Sequence, residues 1–263
     1  MSVLRFVRII LPLSLILSAT GCMTVPEKLD PETSSPEALY NRALDLLVKD
    51  GEYTKAAEQF DALDRYYPYS RWAAKSQIML AFTHYVKKQY DDSIVVLDRF
   101  IRLYPGNKYA PYAYYLKSLC YYDQISDVRR DQKMTLLALD SLQQVVMRFP
   151  LTGYAKDAAV KIELANDHLA GKEMTVGRFY LRQGMHLAAL NRFLKVVKDY
   201  QTTQHVQEAL YRLTETYLVL GLTEEAQKSA AVLGHNYPSG KWYERAYALM
   251  KGRALNETAP KEN

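Results

Sequence analysis

The sequence is poor in the residues that mark small secreted scaffolds and turn-rich folds. Its 263 residues include only two cysteines, Cys22 and Cys120, which excludes a framework of disulfides. With 11 glycines and 10 prolines, it has too few turn formers for a typical all-β fold. The net charge of +5 is too weak and too evenly spread to argue for nucleic acid as a partner. A hydrophobic content of 49%, with 22 tyrosines, instead predicts a chain with a folded core.

The first 21 residues have the pattern of a secretory signal peptide. Two arginines precede a short apolar run, and small residues lead from that run to Cys22. The run is too short to span a bilayer. Residues 19–22 (Ala-Thr-Gly-Cys) resemble a bacterial lipobox, with alanine where leucine is usual, which implies cleavage before Cys22 and acylation of that cysteine. The alternative is an ordinary secreted protein that is cleaved near Ala19.

The residue after the cysteine indicates the membrane to which a lipid-anchored chain of this type is sent. Met23, not an aspartate, follows the cysteine, and among lipoproteins of this type that resembles the pattern exported to the outer membrane. Several acyl chains on one residue give stable anchoring, whereas one chain does not. Residues 22–35 contain two prolines and few apolar side chains, so we expect them to form a lipidated, flexible tether.

An internal repeat occupies most of the remaining chain. A Tyr/Phe-Pro pair ends each repeat, except that the fourth has Gln201 in place of the proline. A small residue lies twelve positions before each of these sites, and an apolar residue lies eight positions before it. The five sets are Ala56 and Phe60 before Pro68, Ser93 and Leu97 before Pro105, Ala138 and Leu142 before Pro150, Ala189 and Phe193 before Gln201, and Ala226 and Ala230 before Pro238. This spacing is typical of the tetratricopeptide unit, a helix–turn–helix of about 34 residues.

The repeats predict an all-α fold, a tetratricopeptide-type helical solenoid of five helix-turn-helix repeats. The small residue lets the two helices of a repeat approach closely, the apolar residue fills the gap, and the proline ends the second helix. The repeats are expected at about 36–70, 71–107, 108–152, 153–203 and 204–240, followed by a capping helix to residue 252 and a disordered tail over 253–263. Another kind of helical-hairpin array is the alternative.

Two repeats are longer than the others. The third has about eight extra residues around 122–133, which predict a polar loop that projects from the array. The fourth has about fourteen extra residues before Gly177. Fourteen residues are about four helical turns. We therefore expect a lengthened first helix whose buried face keeps the same orientation after the insertion.

No pattern of an enzyme or a metal site is found in the sequence. None of the five histidines pairs with another at a metal-ligand spacing, and neither a Gly-rich phosphate loop nor a G-x-S-x-G elbow occurs. We therefore expect no catalytic residue, no metal and no cofactor. Cys120 falls in a helical segment and is expected to be a small core residue rather than a nucleophile.

Two binding surfaces are expected. In such solenoids the first helix of each repeat lines a concave groove. The repeat phase places these residues in it: Asn41, Ile78, Phe82, Tyr85, Tyr114 and Tyr121. The aromatic ones suit an extended peptide with aromatic side chains, but they would also fit between neighbouring helices. On the second helix of the fourth repeat, Arg192, Lys195 and Lys198 are expected to point outward, either as a docking site for an acidic partner domain or as a solvated basic face.

A lipobox followed by five such repeats resembles the plan of the BamD family, lipoproteins of the outer-membrane β-barrel assembly (BAM) machine. The resemblance runs from about residue 36 to 245. The segments that carry it are 62–65 with Tyr67-Pro68, 97–103, 126–131, and Asn191-Arg192 after Phe179-Tyr180.

The resemblance implies a scaffold subunit that docks on a periplasmic domain of BamA, with Arg192 at the contacting position. It implies further contacts with other BAM lipoproteins, such as BamC and BamE, and a groove that recognises unfolded outer-membrane proteins for folding and insertion. The alternative is another tetratricopeptide lipoprotein of the outer membrane, for instance a pilotin or an adaptor for a cell-wall enzyme.

Overall fold

The computed structural model describes residues 29–258, and every regular element in this part of the chain is an α-helix. The helices are α1 (Pro36–Val48), α2 (Tyr53–Tyr66), α3 (Ala73–Val86), α4 (Tyr90–Leu103), α5 (Ala110–Tyr122), α6 (Lys133–Arg148), α7 (Gly153–Arg182), α8 (His186–Asp199), α9 (Val206–Val219), α10 (Thr223–Asn236) and α11 (Lys241–Thr258). The predicted signal peptide, the lipidation site Cys22 and residues 259–263 lie outside the described residues.

Each helix packs against the next one in the chain. Because the connections are mostly short, the two helices of a pair run antiparallel. First helices also contact first helices of neighbouring units: α3 meets α5, α5 meets α7, and α9 meets α11. These contacts place the first helices on the inner side of the array. The all-α, tetratricopeptide-type solenoid predicted from the repeats is confirmed.

The five second helices end in the same conformation. The aromatic residue after each helix has φ between −128° and −138°, and its carbonyl accepts a hydrogen bond from the amide three residues later. These residues are Tyr67, Tyr104, Phe149, Tyr200 and Tyr237. Tyr200 precedes Gln201 and still takes this shape, so the fourth turn does not depend on proline.

The small residues of the repeat are the points of closest helix packing. All five, Ala56, Ser93, Ala138, Ala189 and Ala226, are fully buried. Ser93 is polar, but its hydroxyl donates to the carbonyl of Ala81 at 2.8 Å, so it is satisfied inside the core. In the last repeat Ala230 is only half-buried, and Leu233, one helical turn later, fills the gap.

Helix α7 has 30 residues, as the insertion in the fourth repeat predicts. Its lengthened first half packs on α5 and α6, and its second half packs on α8. The insertion in the third repeat behaves differently from the expected projecting loop. The Lys172 ammonium of α7 donates to the carbonyls of Arg129 and Arg130 at 2.9 and 3.2 Å, so the loop lies against α7.

The first helix begins at Pro36, the residue at which the array is expected to start, but the segments that flank the array differ from the expected flexible tether and tail. The Tyr67 hydroxyl lies 2.9 Å from the carbonyls of Pro31 and Ser34, and this contact fixes the last residues of the expected tether. Ser35 then caps α1 by accepting from the amide of Ala38. At the other end α11 continues to Thr258, because the segment 253–258 has no glycine or proline and favours helix.

Gly177 provides a test of close packing in the fourth repeat. A Cβ atom there would lie 2.5 Å from the buried ring of Phe193. We expect Gly177→Ala to lower the free energy of unfolding by about 1–3 kcal/mol, because neither helix can move away without losing its other contacts. Urea unfolding followed by circular dichroism measures this change. Gly252→Ala is the matched control, since its Cβ meets nothing within 4 Å, and an equal loss there would contradict the packing argument.

Candidate functional site

The basic residues predicted on α8 lie on its outer face. Ala189, Phe193 and Val196 are buried and fix the rotation of the helix. Arg192 and Lys195 therefore reach the surface with their side chains 41% and 45% exposed. Lys198, near the end of the helix, is exposed as well.

A buried carboxylate on α7 joins two of these cations. One Glu173 oxygen accepts from the Arg192 guanidinium at 2.9 Å, and the other accepts from the Lys195 ammonium at 2.7 Å. Glu173 is only 8% exposed. Burial alone would raise the pKa of its carboxyl, but the hydrogen bonds from Lys195 and Arg192 outweigh burial and lower it. The same bonds raise the pKa values of Arg192 and Lys195, so all three groups are charged at neutral pH.

The two cations form one wall of a small hollow of about 360 Å³. Its lining residues are Tyr180, Ala188, Asn191, Arg192 and Lys195. On the same helix, Leu187 is 66% and Leu194 is 39% exposed, and the two lie about two turns apart. Two cations, one internal anion and exposed leucines together suit a partner that brings a carboxylate among apolar side chains. We call this region the α8 surface.

The repeat phase indicated the cations but not their surroundings. Glu173 lies 19 residues before Arg192 on another helix, and no local pattern links the two. The leucines could have been found, since Leu187 and Leu194 are spaced i, i+7 and fall outside the set of buried residues of α8.

The predicted groove residues have different environments. Asn41 is exposed, whereas Phe82, Tyr85, Tyr114 and Tyr121 are half-buried along the first helices. Ile78 is 4% exposed and belongs to the core, so its prediction as a groove residue was wrong. The reason is an error of phase: α3 is packed on both sides, by α2 and α4, and Ile78 faces that interior.

Hydrogen-bonded Tyr–Asp pairs join the first helices of successive repeats. The Tyr85 hydroxyl donates to Asp123 just after α5, and the Tyr115 hydroxyl donates to Asp157 of α7, both at 2.5 Å. Burial and then these bonds raise the pKa values of both tyrosines, which therefore stay neutral. Tyr114 instead packs against Phe149, with ring centroids 5.4 Å apart. The inner face is thus an aromatic surface whose tyrosines are held in place by carboxylates of the next repeat.

Cys120 has the environment of a core residue. It is fully buried, and its thiol lies 3.4 Å from the Ser93 hydroxyl. Burial raises the pKa of the thiol to about 11, so it is protonated at neutral pH and is a poor nucleophile.

Over residues 29–258, no three His, Cys, Asp or Glu side chains converge on a point where they could hold a metal. Within the same span, no helix is both long and apolar enough to cross a membrane.

The fold and these surfaces define a class of protein, a tetratricopeptide-type interaction scaffold. Residues 32–233 match the family described as YfiO, outer membrane lipoprotein. The chain belongs to this family.

Curated relatives carry the name "Outer membrane protein assembly factor BamD". The chain is 47% identical to the one from Caulobacter vibrioides over 240 residues, which cover 90% of this chain and 78% of the relative. It is 49% identical to the one from Rickettsia prowazekii over 213 residues, covering 81% and 84%. The resemblance to the BamD family is therefore confirmed.

The matches to solved structures are weaker than those to the curated relatives. The tetratricopeptide domain of P58(IPK) is 16% identical with a TM-score of 0.42, over 84% of this chain and 58% of that one. A thermophilic tetratricopeptide protein from Thermus thermophilus is also 16% identical, with a TM-score of 0.38, over 84% of this chain and 100% of that one.

Glu173→Gln tests the ion pairs at the α8 surface. Because the folded-state pKa of Glu173 is lowered, its charge stabilises the fold fully above its ordinary pKa of 4.5, and this contribution is lost as the pH falls through the lowered value. At pH 7 we expect the free energy of unfolding of the variant to be about 1–3 kcal/mol lower than that of the parent. This difference should become smaller as the pH is lowered. Urea titrations at several pH values measure it. Glu163→Gln, an exposed acid on the same helix, is the control, and a pH-independent difference for Glu173→Gln would contradict the charge assignment.

Proposed function

We propose that this chain is a lipid-anchored scaffold subunit of the outer-membrane β-barrel assembly complex, acting without catalysis. The observation that carries the proposal is the identity of 47–49% to curated outer membrane protein assembly factors over most of the chain. The lipobox and the family description as outer membrane lipoproteins support acylation of Cys22 and a position at the periplasmic face of the outer membrane.

The α8 surface is the proposed docking site for the periplasmic domain of BamA. Arg192 offers a planar fork of donors to a carboxylate, and Lys195 adds a second cation beside it. Glu173 already takes part of their charge, so the cluster of these three groups carries one net positive charge. One partner carboxylate would neutralise it. Lys198 extends the positive potential and favours encounter with an acidic domain.

Arg192→Glu is expected to weaken binding to the BamA periplasmic domain by about 2–5 kcal/mol, because the reversed charge faces the partner carboxylate. Calorimetry with the two purified proteins measures this change. Arg182→Glu carries the same charge change at the exposed end of α7, outside the hollow, and should bind like the parent. Unchanged affinity of Arg192→Glu would remove this surface from the proposal.

The inner face of the first three repeats is the proposed receptor for unfolded outer-membrane proteins. Phe82, Tyr85, Tyr114 and Tyr121 present half-buried rings there, and Asn41 adds a polar group on α1. Aromatic side chains offer large contact area at a small loss of conformational entropy, which suits recognition of extended segments with aromatic residues.

Replacing Phe82 and Tyr85 by alanine should lower the affinity for a peptide from the C-terminus of a barrel protein. The double variant removes two rings and the Tyr85–Asp123 hydrogen bond, while the fully buried core residues remain. Fluorescence anisotropy measures binding and circular dichroism checks the fold. A double variant of exposed tyrosines, Tyr69→Ala with Tyr247→Ala, is the control. If both double variants bind the peptide equally well, the receptor lies elsewhere.

The pilotin and cell-wall adaptor alternatives predict other partners. A native pull-down from detergent-solubilised membranes with the tagged lipoprotein distinguishes them. Recovery of BamA together with other BAM lipoproteins supports the proposal. Recovery of a secretin or a cell-wall synthase instead would overturn it and leave the fold unchanged.

A further inference from the structure

One edge of the solenoid carries no acidic side chain in any of its turns. The edge consists of the five turns between repeats, which lead from each second helix to the next first helix. Their sequences are YPYSRW (67–72), YPGNKY (104–109), FPLTGY (149–154), YQTTQH (200–205) and YPSGKW (237–242). Every turn has at least one aromatic residue at each end, counting His205, and three turns contain a cation. By contrast, turns on the opposite edge contain acids, among them Asp50, Glu52, Asp123 and Asp127.

The cations in these turns sit beside aromatic rings in a repeated geometry. Arg71 lies 5.3 Å from the ring centre of Trp72, Lys108 lies 5.1 Å from that of Tyr109, and Lys241 lies 5.3 Å from that of Trp242. The Arg71 side chain is 78% exposed, although its nearest acid, Glu37, is 3.4 Å away. The cations are thus held at the surface next to rings and remain open to solvent.

The second helices add further positive charge to the same edge. Each of the five carries a basic residue in its last turn: Arg65, Arg102, Arg148, Lys198 and His235. Such residues favour a helix C-terminus. Here Arg102 and Arg148 border the second and third of the acid-free turns and add positive charge there, whereas Arg65 is paired with Asp61 of its own helix.

Apolar side chains protrude from the first three of these turns. Tyr69 is 100% exposed and Leu151 is 96% exposed, and both directly follow the proline of their turn. Leu103 is exposed just before the second turn, and the first two turns enclose a hollow of about 660 Å³ between them. Exposed aromatic and aliphatic side chains among cations are the composition of surfaces that rest in the headgroup region of a bilayer.

The chain enters the solenoid at this same edge. The Tyr67 hydroxyl of the first turn binds the carbonyls of Pro31 and Ser34. Only seven steps of chain separate residue 29 from Cys22, and even a fully extended chain of that length reaches about 25 Å. If Cys22 is acylated, as the proposed function holds, the first turn cannot be far from the membrane surface.

We propose that the edge formed by the turns 67–72, 104–109 and 149–154 binds the anionic headgroups of the membrane to which the chain is anchored. Arg71 and Lys108 contact phosphates, and Tyr69 and Leu151 enter the headgroup region. The third turn contributes the exposed Leu151 rather than a cation, whereas the fourth turn, 200–205, has neither a lysine or arginine nor an exposed large apolar side chain, so the contact ends before the α8 surface. That surface lies on the outer face of a second helix and stays accessible to a protein partner.

Vesicle binding tests this proposal without the lipid anchor. The probe is the full chain from residue 22 with Cys22→Ser, mixed with vesicles of phosphatidylethanolamine containing about a quarter of phosphatidylglycerol, or with vesicles of phosphatidylcholine. We expect sedimentation with the anionic vesicles and little with the neutral ones. Arg71→Glu with Lys108→Glu should weaken binding at least about tenfold, since each basic side chain near an anionic surface contributes roughly fivefold.

Lys88→Glu with Lys133→Glu is the matched control, because both lysines are exposed on the opposite edge and the charge change is identical. Equal weakening by the two double variants would overturn the proposal, since only net charge would then matter. Absence of any preference for the anionic vesicles would overturn it too. Neither result affects docking on BamA, which Arg192→Glu tests separately.

Vesicle binding at high salt measures the contribution of the exposed apolar side chains separately from that of the cations. At about 0.5 M salt, where surface charges are largely screened, Tyr69→Ser with Leu151→Ser should reduce the residual vesicle binding severalfold. Circular dichroism confirms that the fold is intact, as expected for side chains that contact mainly solvent. Unchanged residual binding would exclude insertion of this edge.

Discussion

Close approach of the two helices in each repeat is the constraint on which the rest of this structure depends. A pair of short helices cannot enclose its own apolar surface, so each repeat has to share a core with its neighbours. The buried small residues, such as Ala56 and Ala189, make this possible by letting helices pack without a gap. Once the spacing is set, the direction of every outward side chain follows, including the cations of α8 and the turns at the edge.

The shared geometry of the turns shows how different residues can specify the same backbone. Four of the five repeats, all except the fourth, use proline to end the second helix. The fourth reaches the same angles with Tyr200 and Gln201, because the aromatic residue is packed between helices and the carbonyl of Tyr200 is satisfied by the amide of Thr203. Tertiary packing therefore replaces a local signal at this position.

The sequence predicted the fold better than the sites. Spacing of small and aromatic residues is a local pattern, and it located the helix pairs, the long α7 and the cations of α8. Contacts between residues far apart in the chain leave no such pattern. This applies to Glu173 beneath Arg192, to the Tyr85–Asp123 pair, and to the loop that Lys172 holds against α7. Ile78 was misplaced because α3 is covered on two sides, so its periodicity does not separate groove from core.

Electrostatics divide the molecule into surfaces of different character. At the α8 surface the cations are paired with a buried acid and are held in a fixed direction, as suits a specific protein contact. At the edge formed by the turns between repeats, the cations lie beside aromatic rings and are exposed to solvent. This arrangement suits a lipid bilayer, whose headgroups have no fixed positions. On the inner face, Tyr85 and Tyr115 are oriented by hydrogen bonds to aspartates of the following repeat.

The length of α7 has a mechanical consequence. One core cluster ends at α5 and another begins in the second half of α7, with only a small cluster around Leu142 between them. A helix of 30 residues is about 45 Å long. Its first half packs on α5 and α6 in the small cluster, and its second half belongs to the cluster that follows. It therefore connects the packing of the two halves through one continuous helix. Because the helix is rigid and long compared with its neighbours, a small rotation at one end corresponds to a larger displacement at the other end.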